Sequence, residues 1–231
     1  MNPRIFIGFD SREEICYDVL KYSLEKNSPA PLDIMPLKIR DLAREIAFNR
    51  SQDPLQSTEF TYTRFLVPYL CGYKGVVLFM DCDMLCFADI QEIFDLDMSG
   101  YWLRVVKHDH RPMSTIKMDG KVQTSYPRKN WSSFMLLNCE KLTMWTKEAV
   151  ETQTGKWLHR FEPIPDERIG DIPKTWNVLD RYDAATKLIH YTEGGPWFEN
   201  YKDHPYGDAW LRYRDEYLTS SSALRRSMES R

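Results

Sequence analysis

Two carboxylates with the spacing of a metal-ligand pair, Asp81 and Asp83, interrupt the apolar stretch GVVLFMDCDMLC at residues 75–86. Residues i and i+2 of a β-strand face the same side, so both carboxylates can converge on one ion while Cys82 and Met84 point away. Paired carboxylates at the end of an apolar strand are unfavourable without a cation between them. Oxygen ligands suit Mg²⁺ or Mn²⁺, and such an ion can neutralise a departing diphosphate.

The D-x-D spacing by itself leaves other interpretations open. Aspartates are common where a strand enters a solvated turn. Phosphatases of the haloacid dehalogenase type also place D-x-D after an apolar strand, and there the first Asp, here Asp81, is the nucleophile. Those enzymes usually carry the motif near the N-terminus, with Thr or Val two residues after the second Asp, whereas this chain has Leu85 at that position. Further residues are needed to choose between a metal site, a nucleophile and a turn.

The elements that must position this pair follow an alternating order. RIFIGF is a β-rich apolar run that leads into Asp10, and residues 12–27 have roughly helical spacing. VVLFM is apolar on both faces, which predicts a fully buried strand leading to Asp81. Further strands are predicted at LDIMPL, YWLRVV and SFMLLN, and helices at TEFTYTRFLVPYLCG and EKLTMWTKEAVETQ. This order predicts an α/β fold with a sheet that is mostly parallel in its first half.

The ends of the predicted strands locate the expected site. In open α/β sheets, ligands bind beyond the carboxyl ends of the strands. Asp10 and the pair Asp81 and Asp83 both follow strand ends, so we expect all three in a single site. Asp10 is equally suited to cap the helix that follows it.

Length and composition indicate one soluble globular domain. The chain has 231 residues, 42% of them hydrophobic and 28% charged, which is sufficient for a full core. Residues 1–218 are predicted to form a single domain. Residues 219–231 are polar, small and basic, and they are predicted to form a loosely held tail. The basic sequence LRRSMESR leaves peripheral contact with an anionic membrane surface open.

Charge and cysteine content argue against several classes. The net charge of −3 comes from 34 acidic and 31 basic residues without long blocks of one sign, so no nucleic-acid partner is expected. The N-terminus MNPRIFIGFD lacks the apolar length of a secretory signal and VVLFM that of a membrane span, which predicts a cytoplasmic protein. Five cysteines without a C-x-x-C pair argue against a disulfide scaffold and a structural zinc site.

Four segments lie around the D-x-D strand in the order TYTRFLVPYL, NWSSFMLLN, PDERIGDIPKTWN and LIHYTEGGPW. Together with that strand they resemble glycosyltransferase family 8, the glycogenin and bacterial galactosyltransferase group, over roughly residues 4–200. It implies a GT-A fold, which is a Rossmann-like, mixed and mostly parallel sheet flanked by helices. It also implies sugar transfer from a nucleotide-sugar donor, with UDP-sugar as the expected class, and retention of anomeric configuration.

The resemblance also implies the metal ligands. On this reading Asp81 and Asp83 hold Mn²⁺, or Mg²⁺, with His190 as the third protein ligand. A neutral imidazole beside two carboxylates leaves open positions for the two phosphates of the donor. Considered alone, His190 at the end of TKLIH is more typical of a hydrogen-bonded strand end.

The same resemblance implies a set of donor-binding residues. Asp10 matches the family's nucleotide-binding position, and Arg64 matches the Arg that contacts the diphosphate or the donor sugar. An exposed helical Arg is the alternative for Arg64. The full donor-binding set is Asp10, Arg64, Asp81, Asn130, Ser132, Gly194, Gly195 and Trp197.

Asp166 and Glu167 are the catalytic candidates, because PDER falls where the family has Asp-Gln. In the family the Asp binds sugar hydroxyls and the Gln lies beside the anomeric carbon. Glu167 can act as a nucleophile, which an amide cannot. Two mechanisms stay open: front-face displacement, in which the departing phosphate oxygen takes the acceptor proton, and a covalent glycosyl intermediate on Glu167. Asp166 and Glu167 also suit the start of a helix, where acidic side chains interact favourably with the helix dipole.

The chain departs from the family at two places. The family's His-x-x-Gly-x-x-Lys-Pro-Trp is one residue shorter here, and Gly195 stands in place of Lys, so Arg64, Arg168 and Lys202 are the candidates for the missing cation. Trp131 stands where the family has Asn. These changes leave a non-catalytic nucleotide- or glycan-binding relative open. The sequence does not specify the acceptor, which can be a glycan, a lipid-linked or small molecule, or a protein, nor the oligomeric state.

Overall fold

The computed structural model describes residues 2–51, 53–54, 56–108 and 128–229. The strands among these residues are β1 (Arg4–Gly8), β2 (Asp33–Leu37), β3 (Val76–Met80), β4 (Met84–Cys86), β5 (Leu103–Val105), β6 (Phe134–Asn138), β7 (Ile169–Asp171), β8 (Val178–Leu179) and β9 (Leu188–His190). The α-helices are α1 (Glu14–Asn27), α2 (Ile39–Glu45), α3 (Val67–Leu70), α4 (Gln91–Phe94), α5 (Lys147–Thr152), α6 (Gly155–His159) and α7 (Asp208–Glu229).

The larger sheet contains six of the described strands, in the order β2-β1-β3-β6-β5-β7. β1 is parallel to both β2 and β3, with Ile7 beside Met80. β6 is antiparallel to β3 and to β5, and β7 is parallel to β5. The predicted α/β sheet with a parallel first half is therefore confirmed, and the carboxyl ends of β1 and β3 lie side by side.

The centre of this sheet is apolar on both faces. Residues Val77–Met80 of β3 and Phe134–Leu137 of β6 are all buried. Strands covered on both faces have no need for alternating polar residues, which explains the continuous apolar runs in the sequence. Helix α1 packs against β4 and α7 on one side of the core.

The segment between β3 and β4 is the crossing between two sheets. The chain leaves the larger sheet at Met80 and enters a smaller sheet, of order β4-β9-β8, at Met84. Cys82 is fully buried in the core, while Asp81 and Asp83 on either side of it, here called the acidic pair, turn away from it. The two carboxylates lie on a common side as predicted, but residues 81–83 form a bend between β3 and β4 and not part of a strand.

Two predicted helices are shorter than the sequence indicates. TEFTYTRFLVPYLCG carries a 3₁₀ turn at Thr63–Leu66 and then only the four residues of α3, with Pro68 in its first turn. In EKLTMWTKEAVETQ the helix begins only at Lys147, where the Thr146 hydroxyl accepts a hydrogen bond from the Ala149 amide. This capping hydroxyl starts α5, so the residues before it form turns.

The C-terminal segment, predicted as a polar tail, is helical. α7 runs to Glu229, through most of residues 219–231. Its earlier turns are held on α1, where the Tyr217 hydroxyl donates to Asp18. A helix that is nucleated by packing propagates readily through good helix formers such as Ala, Leu, Arg and Met. Within the described residues, no helix has both the length and the apolar character needed to cross a membrane.

Gly8, the last residue of β1, is expected to tolerate no side chain. A Cβ at this position would lie 2.4 Å from Cδ2 of the buried Phe60 ring. Gly8→Ala should therefore lower the free energy of unfolding by about 1–3 kcal/mol, measured by urea denaturation. In a Phe60→Ala background the same substitution should cost less, because the ring atoms Cγ, Cδ2 and Cε2 that it meets are gone. An equal loss in both backgrounds would contradict this packing.

Candidate functional site

The register of the smaller sheet brings His190 to the acidic pair. β9 pairs with β4 so that His190 lies beside Met84, and the Tyr191 amide donates to the Asp83 carbonyl at 2.9 Å. His190 Nε2 lies 3.2 Å from Asp83 Oδ1 and 4.0 Å from Asp81 Oδ2. One ligand atom from each of Asp81, Asp83 and His190 lies within 4.8 Å of the other two. These three residues are called the ligand cluster below.

The ligand cluster fits a divalent cation. Asp81 and His190 are 8% and 3% exposed, and Asp83 Oδ1 is buried without an aligned hydrogen bond. Buried carboxylate oxygens are stabilised when a cation takes the place of missing donors. Two carboxylates and one imidazole form a donor set that suits Mn²⁺ and other divalent first-row ions.

The acidic pair also acts on the imidazole. Burial lowers the pKa of His190, but the negative charges of Asp83 and Asp81 outweigh burial and raise this pKa above its ordinary value. The space between Nε2 and the carboxylates therefore favours a positive charge, whether a proton or a metal ion.

Arg64 supplies a positive charge from the protein itself. Its Nη1 lies 2.9 Å from Asp81 Oδ1 and donates to the Ser132 carbonyl at 2.8 Å. The guanidinium lies over the rings of Phe60 and Phe79. The Arg64 and Asp81 side chains are only 7% and 12% exposed, so solvent screens the ion pair little. Arg64 is thus a buried partner of Asp81, not the exposed helical Arg of the alternative; its contact with a donor stays a prediction.

Asp10 lies at the carboxyl end of β1, as predicted, and its carboxylate is engaged within the protein. Oδ1 accepts from the Arg12 amide and Nε, and Oδ2 accepts from Arg12 Nη2 and the Glu59 amide. Burial raises the pKa of Asp10, but the hydrogen bonds from Arg12 outweigh it and hold this pKa below its ordinary value. Asp10 therefore fixes the loop before α1, a helix that begins only at Glu14.

Asn130 and Ser132 lie in the turn that precedes β6, next to the acidic pair. Asn130 has φ +64° and begins this 3₁₀ turn. The Ser133 carbonyl accepts from the Asp81 amide at 2.9 Å, and the Ser132 hydroxyl lies 2.9 Å from His159 Nδ1. The turn therefore contacts Asp81 through its backbone, while the hydroxyl predicted to bind the donor is paired within the protein.

The loop that carries the predicted donor-binding residues Gly194, Gly195 and Trp197 follows β9 directly. Gly194 has φ +114°, a conformation that residues with a side chain rarely adopt. A Cβ at Gly195 would lie 2.0 Å from Cζ3 of Trp197, whose ring packs edge to face on Tyr191. The backbone path requires both glycines. The loop also begins at the acidic pair, because the Tyr191 amide is bound to the Asp83 carbonyl.

The catalytic candidates lie outside the ligand cluster, just before β7. The register of the larger sheet places the start of β7 level with the start of β3, whereas Asp81 follows the end of β3. Asp166 and Glu167 immediately precede β7; Asp166 is paired with Arg128, and Glu167 is exposed. The structure brings neither of them to the ligand cluster, and their catalytic roles stay predictions.

Asp166 nevertheless borders a cavity. Arg128, its partner, also donates to the Arg160 carbonyl and so ties two segments together at the rim. The cavity has a volume of about 330 Å³ and is lined by Arg128, Arg160, Phe161, Glu162, Ile164 and Asp166.

The candidates for the missing cation lie in different places. Arg168 donates to the Gly100 carbonyl, next to the start of β7. Lys202 pairs with the exposed Glu199. Of the three candidates, Arg64 carries its charge at the acidic pair.

Sequence reasoning missed two residues of the site. Glu13 is 8% exposed, and burial together with the charges of Asp83 and Asp10 raises its pKa to about 8. The acids in SREE, directly after Asp10, were a signal for it. Asn177 is 1% exposed, and its Oδ1 lies 3.0 Å from His190 Nδ1. No local pattern marks Asn177, because this contact depends on how distant segments pack.

A family profile and a plant protein match most of this chain in sequence. The family profile described as "Glycosyl transferase family 8" matches residues 19–200. Protein CDI of Arabidopsis thaliana is 45% identical over 224 residues, which cover 93% of this chain and 86% of that protein.

Solved structures resemble the fold at low sequence identity. The apo-form glycosyltransferase GlyE of Streptococcus pneumoniae TIGR4 has a TM-score of 0.62 and 13% identity, over 96% of this chain and 64% of GlyE. The chain thus spans slightly less than two thirds of that protein. The galactosyltransferase LgtC, in complex with donor and acceptor sugar analogs, has a TM-score of 0.58 and 14% identity, over 92% of this chain and 95% of LgtC. The predicted GT-A fold is confirmed.

Arg64→Met should destabilise the protein strongly. The substitution removes the buried charge beside Asp81 and leaves that carboxylate uncompensated, which typically costs about 3–5 kcal/mol. Urea denaturation measures the loss. The matched control is Arg44→Met, because Arg44 is 74% exposed and pairs with Asp41 at the surface; its effect should stay within about 0.5 kcal/mol. Equal losses for the two variants would contradict the role given to Arg64.

Proposed function

Because the chain belongs to glycosyl transferase family 8, we propose that it transfers a sugar from a nucleotide-diphosphate sugar to a hydroxyl acceptor at the ligand cluster. Membership of the family makes the chain a glycosyltransferase, which favours this reaction over a phosphatase with Asp81 as nucleophile. The observation that carries the proposed site is the convergence of ligand atoms from Asp81, Asp83 and His190 within 4.8 Å.

A divalent cation, Mn²⁺ or Mg²⁺, is the proposed cofactor. When bound, such an ion neutralises the charge that develops on the departing diphosphate. Asp81 and Asp83 would hold it through carboxylate oxygens and His190 through Nε2. Arg64 contacts Asp81 Oδ1, which leaves Oδ2 on the side of His190. The protein thereby orients the first carboxylate toward the other two ligands.

A UDP-sugar is the proposed donor, and two features support its placement. Asp10 stands at the carboxyl end of β1 beside β3, where α/β sheets bind nucleotides. The loop with Gly194 and Gly195 allows close approach of backbone to phosphates and begins at the acidic pair. LgtC, a galactosyltransferase whose structure holds donor and acceptor sugar analogs, shares the fold.

The proposed reaction retains the anomeric configuration by front-face displacement. The bond between the anomeric carbon and the departing phosphate oxygen breaks, and a bond to the acceptor oxygen forms on the same face. The acceptor proton passes to the departing phosphate oxygen, so no protein base is required. A covalent intermediate on Glu167 is the rival route; the exposure of Glu167 and its position before β7 favour the front-face route.

The cavity beside Asp166 is the proposed sugar subsite. Asp166 and Arg128 offer the acceptors and donors that bind hydroxyls, and Phe161 offers an aromatic face on which a sugar ring can pack. The proposed acceptors are a glycan, a lipid-linked sugar or a small molecule with free hydroxyls. The proposed location is the cytoplasm, with peripheral membrane contact if the acceptor is lipid-linked.

Thermal unfolding should identify the donor class and its dependence on metal. With Mn²⁺ present, UDP and UDP-sugars should raise the Tm more than GDP, CMP or dTDP, and EDTA should abolish the rise. A ligand present at 100 times its Kd stabilises the folded protein by about 2.7 kcal/mol, which a thermal scan resolves. Asp83→Asn should lose the shift, because it removes a charge from the ligand cluster.

The control for this experiment is Asp41→Asn, since Asp41 lies on α2 and its side chain is 46% exposed. This variant should keep the full shift. A shift that survives both EDTA and Asp83→Asn would contradict the proposed metal site. No shift with any nucleotide would contradict the proposed donor.

Glu167→Gln separates the two mechanisms. Under front-face displacement the variant should keep turnover within about tenfold, because Glu167 forms no bond to the sugar. Under the covalent route the loss should be about 10³-fold or more, as for other removed nucleophiles. Turnover is measured as release of the nucleoside diphosphate, and mass spectrometry of the intact protein tests for a glycosyl adduct. A large loss together with an adduct on the wild-type protein would overturn the front-face route.

A further inference from the structure

We propose that Asn177, held by Ser133, is a positioning residue that fixes which nitrogen of His190 faces the acidic pair. The inference rests on the proposed function only in taking His190 as a metal ligand. It follows from a chain of hydrogen bonds that joins the turn before β6 to the imidazole.

The series of hydrogen bonds begins at the Ser133 hydroxyl, which has a single proton to donate. This hydroxyl is 2.7 Å from the Asn130 carbonyl and donates to it. The oxygen of Ser133 must then accept from its other neighbour, Asn177, whose Nδ2 lies 2.9 Å away. Ser133 is 3% exposed and Asn177 is 1% exposed, so water does not offer either group another partner.

The direction of that hydrogen bond sets the orientation of the Asn177 amide. Because Nδ2 points to Ser133, Oδ1 is the atom that lies 3.0 Å from His190 Nδ1. A carbonyl oxygen can only accept, so Nδ1 of the buried imidazole carries a proton. In a neutral ring the lone pair is then on Nε2, the nitrogen that lies 3.2 Å from Asp83 Oδ1.

The reverse direction is the alternative that this geometry disfavours. If the Asn177 amide were turned over, its Nδ2 would face Nδ1 of His190, and the lone pair would move to that nitrogen. The Ser133 hydroxyl would have to donate to Asn177, and the Asn130 carbonyl would lose the 2.7 Å hydrogen bond from that hydroxyl and keep only the longer one, 3.3 Å, from the Ser133 amide. The loss of one hydrogen bond costs about 0.5–1.5 kcal/mol.

The same turn also holds the other side of the ligand cluster. The Ser133 carbonyl accepts from the Asp81 amide, and the neighbouring Ser132 carbonyl accepts from Arg64 Nη1. Ser133 therefore positions a carboxylate through its backbone and the imidazole through its hydroxyl and Asn177. When the ring is neutral, the lone pair of Nε2 is therefore aimed at the acidic pair, and orienting a ligand in this way is the role that outer partners play at metal sites.

NMR of the full chain with ¹⁵N-labelled histidine tests this assignment. The chain has five histidines, so His190 can be identified by the signals lost in His190→Gln. Long-range ¹H–¹⁵N spectra are recorded across a pH titration into the range where the ring is neutral. In the wild-type protein, Nε2 should be the nitrogen without a proton. A lone pair on Nδ1 would overturn the inference, whatever the variants do.

Variants with Mn²⁺ as the probe test the consequence. Asn177→Leu and Ser133→Ala should mix the two ring tautomers and weaken Mn²⁺ binding, measured by calorimetry, by about 10- to 100-fold. Asn177→Asp keeps an oxygen toward Nδ1 and should preserve both the wild-type tautomer and Mn²⁺ binding. Asn200→Leu, the same change at an exposed position, should alter neither measurement.

The outcomes separate this inference from the proposed function. If Asn177→Leu and Ser133→Ala bind Mn²⁺ like the wild type and keep its tautomer, the positioning role is overturned while the metal site stands. If the wild type binds no Mn²⁺, the proposed function fails, and the spectra still decide the tautomer. If Asn177→Leu does not fold, Ser133→Ala and Asn177→Asp carry the comparison.

Discussion

Two carboxylates buried at the crossing between two sheets are the constraint on which the site depends. Removing Asp81 and Asp83 from water is unfavourable unless a positive or hydrogen-bonding partner lies beside each. Arg64 meets Asp81 and His190 meets Asp83. One partner comes from the segment before β3 and the other from β9, so the acidic pair is compensated only when both sheets are assembled.

The turn before β6 converts this electrostatic requirement into fixed geometry. Its carbonyl groups hold the Asp81 amide and the Arg64 guanidinium, and its Ser133 hydroxyl reaches His190 through Asn177. One short segment therefore holds Asp81, Arg64 and, through Asn177, His190. The antiparallel pairing of β6 with β3 anchors that segment. Sites supported by strands in this way are more rigid than sites built on loops alone.

The parts proposed to bind the donor lie beside this centre and are built differently. The loop with Gly194 and Gly195 starts at the Asp83 carbonyl and owes its path to residues without side chains. Asp10 uses its carboxylate to hold Arg12 and the Glu59 amide, so a nucleotide at this edge would meet a loop that is already ordered. Protein groups with satisfied hydrogen bonds lose little freedom on binding, which favours affinity.

The sequence by itself predicted five strands of the larger sheet and the acidic pair that follows β3, because periodicity and apolar runs are local properties. His190 joined the possible metal ligands only through the resemblance to the family. The sequence overestimated the helix before α5 and missed the helical C-terminal segment, since a capping Thr146 and packing on α1 decide those boundaries. Only the tertiary structure decided that Arg64 lies against Asp81, that Glu167 lies before β7 and outside the ligand cluster, and that Asn177 contacts His190. Those contacts join residues far apart in the chain, and their existence depends on the register of two sheets, which no local pattern encodes.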